Sequence, residues 1–123
     1  MIAGIAALTY IKDHPDVYSI LEEKASMLEN GFKENLKRIN KNFALNRAGS
    51  MSCLFFIENL VIDFKSVLKS DTTLYGKYFN EMLKQGIYLA PAQFEAAFIS
   101  TTHTKEDIEK TIAAQKQAFT KIF

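Results

Sequence analysis

One long stretch of helical periodicity, residues 16–41, does most to limit how this chain can fold. Apolar side chains recur there every three or four residues and so share one face of a helix: Val17, Ile20, Leu21, Ala25, Leu28, Phe32, Leu36 and Ile39. Charged residues fill the opposite face, while Pro15 and Asp16 are typical of a helix start. The sequence therefore predicts one helix over residues 16–41, which needs a partner for its apolar face.

The remaining chain supplies both strands and helices. Two strands are predicted at residues 43–47 and 50–57, joined by a tight turn or a bulge at Gly49. A second amphipathic helix runs from the Ser70–Asp71 cap to Gly86, and at least one of the segments 87–89 and 96–100 is a strand. A capping box, Thr104 to Asp107, starts a last helix. This order predicts an α+β fold of two layers, a small, mainly antiparallel sheet covered on one face by helices.

The first eleven residues, MIAGIAALTYI, predict a helix that is apolar all round. They lack the basic segment and cleavage site of a signal peptide and are too short to span a bilayer. A helix of this kind is expected to be buried against something. With no capping residue before it, it resembles the tail of a longer element, so we expect the chain to be a fragment of a larger protein.

Composition excludes several classes of function. With 123 residues, 48% of them hydrophobic, the chain can bury a core of its own. The net charge is +1, and all basic residues but Arg38 and Arg47 are lysine, so nucleic acid is not an expected partner. The histidines, His14 and His103, are far apart and predict no metal site. The single cysteine, Cys53, fits a core thiol in a cytoplasmic protein.

Chemistry-bearing motifs are few. The sequence has no GxGxxG, P-loop, G-x-S-x-G or HExxH motif, and no catalytic residue can be named. The segment 90–95 differs, because Gln93 and Glu95 lie in a proline-stiffened loop that would hold two polar groups in fixed positions. From the residues alone, Glu95 is either an exposed structural glutamate or a ligand contact. His103 is either a loop histidine before a helix or a general acid/base, and His14 is expected at the surface.

Several segments together resemble one known family. They are residues 86–100 (GIYLAPAQFEAAFIS), 102–104 (THT), 106–108 (EDI), 46–51 (NRAGSM), 70–71 (SD) and 1–8 (MIAGIAAL). In these segments the chain is similar to the C-terminal domain of the glutamate-1-semialdehyde 2,1-aminomutase family, over essentially its whole length. One departure is Ala92, where the family more often has serine.

This resemblance implies the small domain of a fold-type I enzyme that uses pyridoxal phosphate, in the class-III aminotransferase group. Residues 1–12 would be the end of an interdomain helix and residues 13–123 the C-terminal small domain. The large domain, with the cofactor-binding lysine and phosphate loops, would lie outside this chain. The family is dimeric and cytoplasmic and makes 5-aminolevulinate for porphyrin synthesis. The chain alone would be inactive, with no cofactor bound and no membrane contact.

The resemblance also implies a role for Glu95. The family's C-terminal domain brings a glutamate at this position towards the substrate, and the reaction passes through a diamine. A carboxylate can hold its free amine by a charge-assisted hydrogen bond. Glu95 is therefore the expected substrate-binding residue, and Gln93 is expected to brace the loop. Two other functions stay open: a free-standing interaction module with this fold, and another class-III aminotransferase.

Overall fold

Five helices and three strands follow one another in this structure, a computed structural model that describes all residues 1–123. They are α1 (Ile2–Asp13), α2 (Val17–Arg38), β1 (Ala44–Ala48), β2 (Met51–Phe55), α3 (Phe64–Val67), α4 (Thr72–Lys84), β3 (Ala97–Phe98) and α5 (Lys105–Ile122). The predicted order is confirmed except for α3, which adds a short helix. Of the two candidate strand segments, 96–100 contains β3, whereas 87–89 has no strand partner.

The three strands form one antiparallel sheet in the order β1-β2-β3, as the sequence predicts. β1 and β2 are joined by a two-residue turn in which Gly49 has φ +56°, a conformation that favours glycine. Helix α2 packs on β1 and β2, and α5 packs on α2 and α4. Helices α2, α4 and α5 thus cover one face of the sheet, and the predicted two-layer α+β fold is confirmed.

The main core lies where α4 and α5 meet the sheet and the end of α2. Its buried side chains are Leu36, Phe43, Leu54, Phe56, Tyr75, Tyr78, Met82, Ala114, Ala118 and Phe119. A polar chain crosses this core, because the Asn35 amide donates to Gln115 Oε1 (3.1 Å) and the Gln115 amide donates to the Tyr78 hydroxyl (3.3 Å). Each of these three buried side chains therefore has a hydrogen-bond partner, which fixes how α2, α4 and α5 align.

Two helix ends show how local chemistry sets the element bounds. Helix α2 ends at Arg38, not at residue 41, because Asn40 adopts φ +53° and the Lys41 N–H bonds back to Leu36 O at 3.1 Å. Gly86, with φ +79°, ends α4 by the same pattern, as predicted. The Thr104–Asp107 capping box of α5 is also confirmed.

Helix α3 was not expected from the sequence. Asp63 caps it, since the Asp63 carboxylate accepts from the Ser66 N–H at 2.7 Å and the Ser66 hydroxyl accepts from the Asp63 N–H at 3.1 Å. The pair is a local signal three residues apart, but the four-residue helix has no apolar period that would reveal it.

Helix α1 forms as predicted but has no buried residue. Ile2, Ile5 and Leu8 are 86%, 62% and 70% exposed. The expectation that this helix is buried is therefore not met within the chain itself, and its role as the end of an interdomain helix stays a prediction. None of the helices is both long and apolar enough to cross a bilayer.

Candidate functional site

Glu95 lies at the end of a tight turn just before β3. Its main-chain N–H bonds to Ala92 O at 3.2 Å, and its side chain is exposed. The side chain lines a cavity of about 450 Å³ whose walls are mostly apolar and include Leu28, Phe32, Leu89 and Ile108. A carboxylate at the edge of such a cavity offers an acceptor for a charge-assisted hydrogen bond from a cationic group.

Gln93 is almost fully buried, at 3% exposure. Its Nε2 donates to Leu54 O at 2.8 Å, and its Oε1 accepts from the Phe56 N–H at 3.2 Å. Both partners are main-chain groups of the β2 segment. Gln93 therefore braces the loop against the sheet, as expected.

Cys53 is half-buried beside the same loop. Its thiol lies 3.3 Å from Glu95 O and 3.5 Å from Gln93 O. Burial raises the pKa of the thiol to about 11, so it is protonated at neutral pH and can donate to these carbonyl oxygens. The sequence predicts a core thiol here but gives no signal for this contact, because Cys53 and Glu95 are far apart in the chain.

Tyr75 on α4 anchors the other end of the loop. Its hydroxyl donates a short hydrogen bond to Ala90 O. Burial raises the pKa of Tyr75 to about 12, and the negative charges of ionised Cys53 and Glu95 add to the rise. The phenol therefore stays neutral and remains a donor, and the loop is fixed at both ends.

His103 lines the same cavity as Glu95, next to the start of α5. Its Nδ1 accepts from the Ser100 N–H at 3.0 Å. This contact closes the loop before α5. His14 lies at the surface at the end of α1, as expected, where its ring stacks on Tyr10.

The cavity beside Glu95 has no lysine among its lining residues. The residues that line this cavity thus offer no amino group that could bind the aldehyde of pyridoxal phosphate. No group of three or more His, Cys, Asp and Glu side chains is placed to hold a metal ion. The chemistry that the site offers is binding by a positioned carboxylate.

Comparison with known proteins identifies close relatives. Over 116 residues, 94% of this chain, it is 53% identical to a glutamate-1-semialdehyde 2,1-aminomutase of Pelodictyon phaeoclathratiforme. The match to the aminomutase of Chlorobaculum tepidum is 52% over the same length. The resemblance drawn from the sequence is therefore confirmed. The chain spans only 27% of the length of these curated relatives. No protein-family model matches the chain.

Solved structures show the same fold. A glutamate-1-semialdehyde aminomutase from Pseudomonas aeruginosa aligns with a TM-score of 0.78 at 17% identity, over 88% of this chain and 24% of that one. At such identity the likeness concerns the fold alone. The fold of this chain is thus found as one part of a longer enzyme.

Proposed function

We propose that this chain is the C-terminal domain of a glutamate-1-semialdehyde 2,1-aminomutase, which makes 5-aminolevulinate from glutamate 1-semialdehyde for porphyrin synthesis. The observation that carries this proposal is the 53% identity over 94% of the chain to a protein of that name. Because the chain spans 27% of that relative, it supplies one domain of the isomerase and is inactive alone. Fold likeness by itself would not separate this activity from that of another class-III aminotransferase.

In this proposal Glu95 holds an ammonium group of the substrate. Three observations support the role: the carboxylate is exposed, it lines a largely apolar cavity, and the turn that carries it is anchored on both sides. A fixed carboxylate binds an ammonium group without first having to be ordered. Pyridoxal phosphate, held by the large domain, supplies the electron sink of the reaction.

The partner of this domain is the rest of the same polypeptide, in a cytoplasmic homodimer. Helix α1 supports this assignment, because its apolar side chains have no partner within the chain. An apolar helix left exposed in this way marks a contact surface. The same exposure would fit a free-standing interaction module, but that alternative gives no reason for 53% identity to an aminomutase over 116 residues.

Substitution of Glu95 in the complete enzyme tests the proposed function. Glu95→Gln keeps the size of the side chain and removes its charge, so one charge-assisted hydrogen bond to substrate is lost. We expect 5-aminolevulinate formation to fall about ten- to a hundred-fold, which corresponds to roughly 1.5–3 kcal/mol. Release of free diamine should rise, while the melting temperature stays the same.

A matched control is Glu23→Gln, which removes another exposed carboxylate, on α2. It should leave turnover unchanged. Unchanged turnover in Glu95→Gln together with a lower melting temperature would assign Glu95 a structural role instead.

The isolated chain provides a second test. After incubation with pyridoxal phosphate and removal of the excess, we expect no stable visible absorption band, because the cofactor-binding lysine lies in the large domain. A band that borohydride fixes to one specific lysine of this chain would contradict the domain assignment.

A further inference from the structure

We propose that Gln93 is a positioning residue whose buried side-chain amide replaces a missing strand on the edge of β2 and thereby fixes the main chain that carries Glu95. The proposal rests on the proposed function, because it concerns how Glu95 is held for its substrate. It goes beyond bracing, since it assigns the amide a specific place in the hydrogen-bond ladder of the sheet.

The ladder between β2 and β3 is short. Ser52 pairs with Ala97, and the Ile99 N–H bonds to Ser50 O at 3.0 Å. Alternate residues of a strand expose their main-chain groups on the same edge, so Leu54 and Phe56 come next on the edge that β3 uses. The chain before Ala97 turns away, and β3 cannot reach these two residues.

Gln93 takes up both of the positions that β3 leaves open. Its Nε2 meets Leu54 O and its Oε1 meets the Phe56 N–H, at 2.8 Å and 3.2 Å. A side-chain amide carries the same donor and acceptor as a peptide group, so it can continue the ladder where no strand is present. An apolar side chain of similar length would leave two buried main-chain groups without partners, which is costly.

The anchor lies two residues from Glu95, within the turn closed by the bond from Glu95 N–H to Ala92 O. The Cys53 thiol reaches the carbonyl oxygens of both Gln93 and Glu95 from the sheet side. With the amide and the thiol in place, the Glu95 main chain cannot shift along β2. Loss of the amide should therefore move or loosen Glu95 without touching its carboxylate.

Amide hydrogen exchange on the 123-residue chain tests the contact itself. Gln93→Met should speed exchange of the Phe56 N–H by about tenfold or more, and should raise mobility over residues 93–96. The control Gln85→Met removes another glutamine amide that donates to a main-chain carbonyl, Ala114 O at 2.9 Å. It should leave Phe56 protected. Equal protection of Phe56 in Gln93→Met and the wild type would overturn the proposal.

Kinetics of the complete enzyme test whether Gln93 acts through Glu95. We expect Gln93→Met to lower kcat/KM by about tenfold in the wild-type background but by less than about twofold when Glu95 is already Gln. If the losses in kcat/KM from Gln93→Met and Glu95→Gln instead multiply, Gln93 is only structural and its positioning role is overturned. A complete wild-type polypeptide that makes no 5-aminolevulinate would instead refute the proposed function, while the exchange result would still decide the contact.

Discussion

Helices α1 and α5 both carry apolar residues, yet they are used in opposite ways. α5 buries Ile108, Ala114, Gln115, Ala118 and Phe119, whereas α1 buries nothing. The apolar residues of α5 lie in a stripe that packs against α2 and α4. Those of α1 are spread around the helix and meet no surface of this chain.

The difference shows that apolar content alone does not place a helix in a core. Burial needs a facing surface of matching shape, and dispersion contacts are gained only where atoms touch. α5 has that surface within these 123 residues. In the proposed function, the large domain supplies such a facing surface for α1. Within these 123 residues, changes in α5 and in α1 should therefore affect stability differently.

The largest effect is expected from truncating a core side chain of α5. Phe119 is 1% exposed, so Phe119→Ala should lower the free energy of unfolding by about 3–5 kcal/mol through the lost transfer energy and the cavity left behind. Leu8→Ala in α1 removes a side chain that is 70% exposed and should change it by less than about 0.5 kcal/mol. Urea denaturation of the two variants measures both values, and equal losses would refute the contrast.

A smaller effect is expected where α2 and α5 touch. A Cβ on Gly31 would lie 2.4 Å from the Ile112 side chain, so Gly31→Ala should cost about 1–3 kcal/mol as the helices are forced apart. In a chain that already carries Ile112→Ala, Gly31→Ala should cost less, because the side chain that the new Cβ meets is gone.

The matched control for Gly31 is Gly76→Ala in α4. A Cβ there meets nothing within 4 Å, so the change should stabilise the chain by roughly 0.5–1 kcal/mol. Thermal unfolding of the two alanine variants gives opposite signs if this account is right. A shift of the same sign in both would contradict the close approach of α2 and α5.

The sequence predicts the elements well where their signals are local. The stripe of α2, the cap at Thr104 and the stop at Gly86 each depend on residues within a turn of one another, and each is confirmed. The end of α2 was misplaced because asparagine at residue 40 takes the left-handed conformation that usually indicates glycine.

The site was less predictable, because its contacts join distant parts of the chain. Glu95 and His103 could be named from the sequence, and they do line one cavity. The contacts of Gln93 with Leu54 and of Cys53 with Glu95 could not, since each joins segments about forty residues apart through a main-chain oxygen. Main-chain partners leave no mark in the sequence, and only the fold reveals them.

We expect stability to depend on pH in the acid range because ion pairs hold α2 to β1. Helix α1 has no such contact with the sheet. Arg47 donates to both carboxylate oxygens of Glu22 at 2.8 Å and to Glu29 at 2.6 Å. The hydrogen bonds that Glu22 accepts from Arg47, and one from Ser26, lower the pKa of Glu22 from 4.5 to about 2. A lowered folded-state pKa stabilises the fold above the unfolded value, and this contribution is lost as pH falls from about 4.5 to 2.

Replacing the arginine isolates that contribution. Arg47→Met keeps the apolar stem and should flatten the fall in urea midpoint between pH 4.5 and 2. Because Glu22 is half exposed and screened by solvent, the effect should be smaller than that of Gly31→Ala. Arg38→Met, at an exposed position without an ion pair, is the control and should leave the contribution of Glu22 to the acid dependence in place. An unaltered profile in Arg47→Met would show that other carboxylates cause the acid loss.

The smallest effect on stability is expected from removing most of α1. A chain that starts at Lys12 lacks Ile2, Ile5 and Leu8, which are exposed, so its free energy of unfolding should change by less than about 0.5 kcal/mol. Its association should change, however, because an exposed apolar helix tends to pair with another copy when its own partner is absent. Sedimentation velocity at rising concentration should show self-association of residues 1–123 and none of the shorter chain. Identical sedimentation and identical amide protection in the full and the shortened chain would mean that α1 has no missing partner. The proposed contact with a large domain would then lose its support.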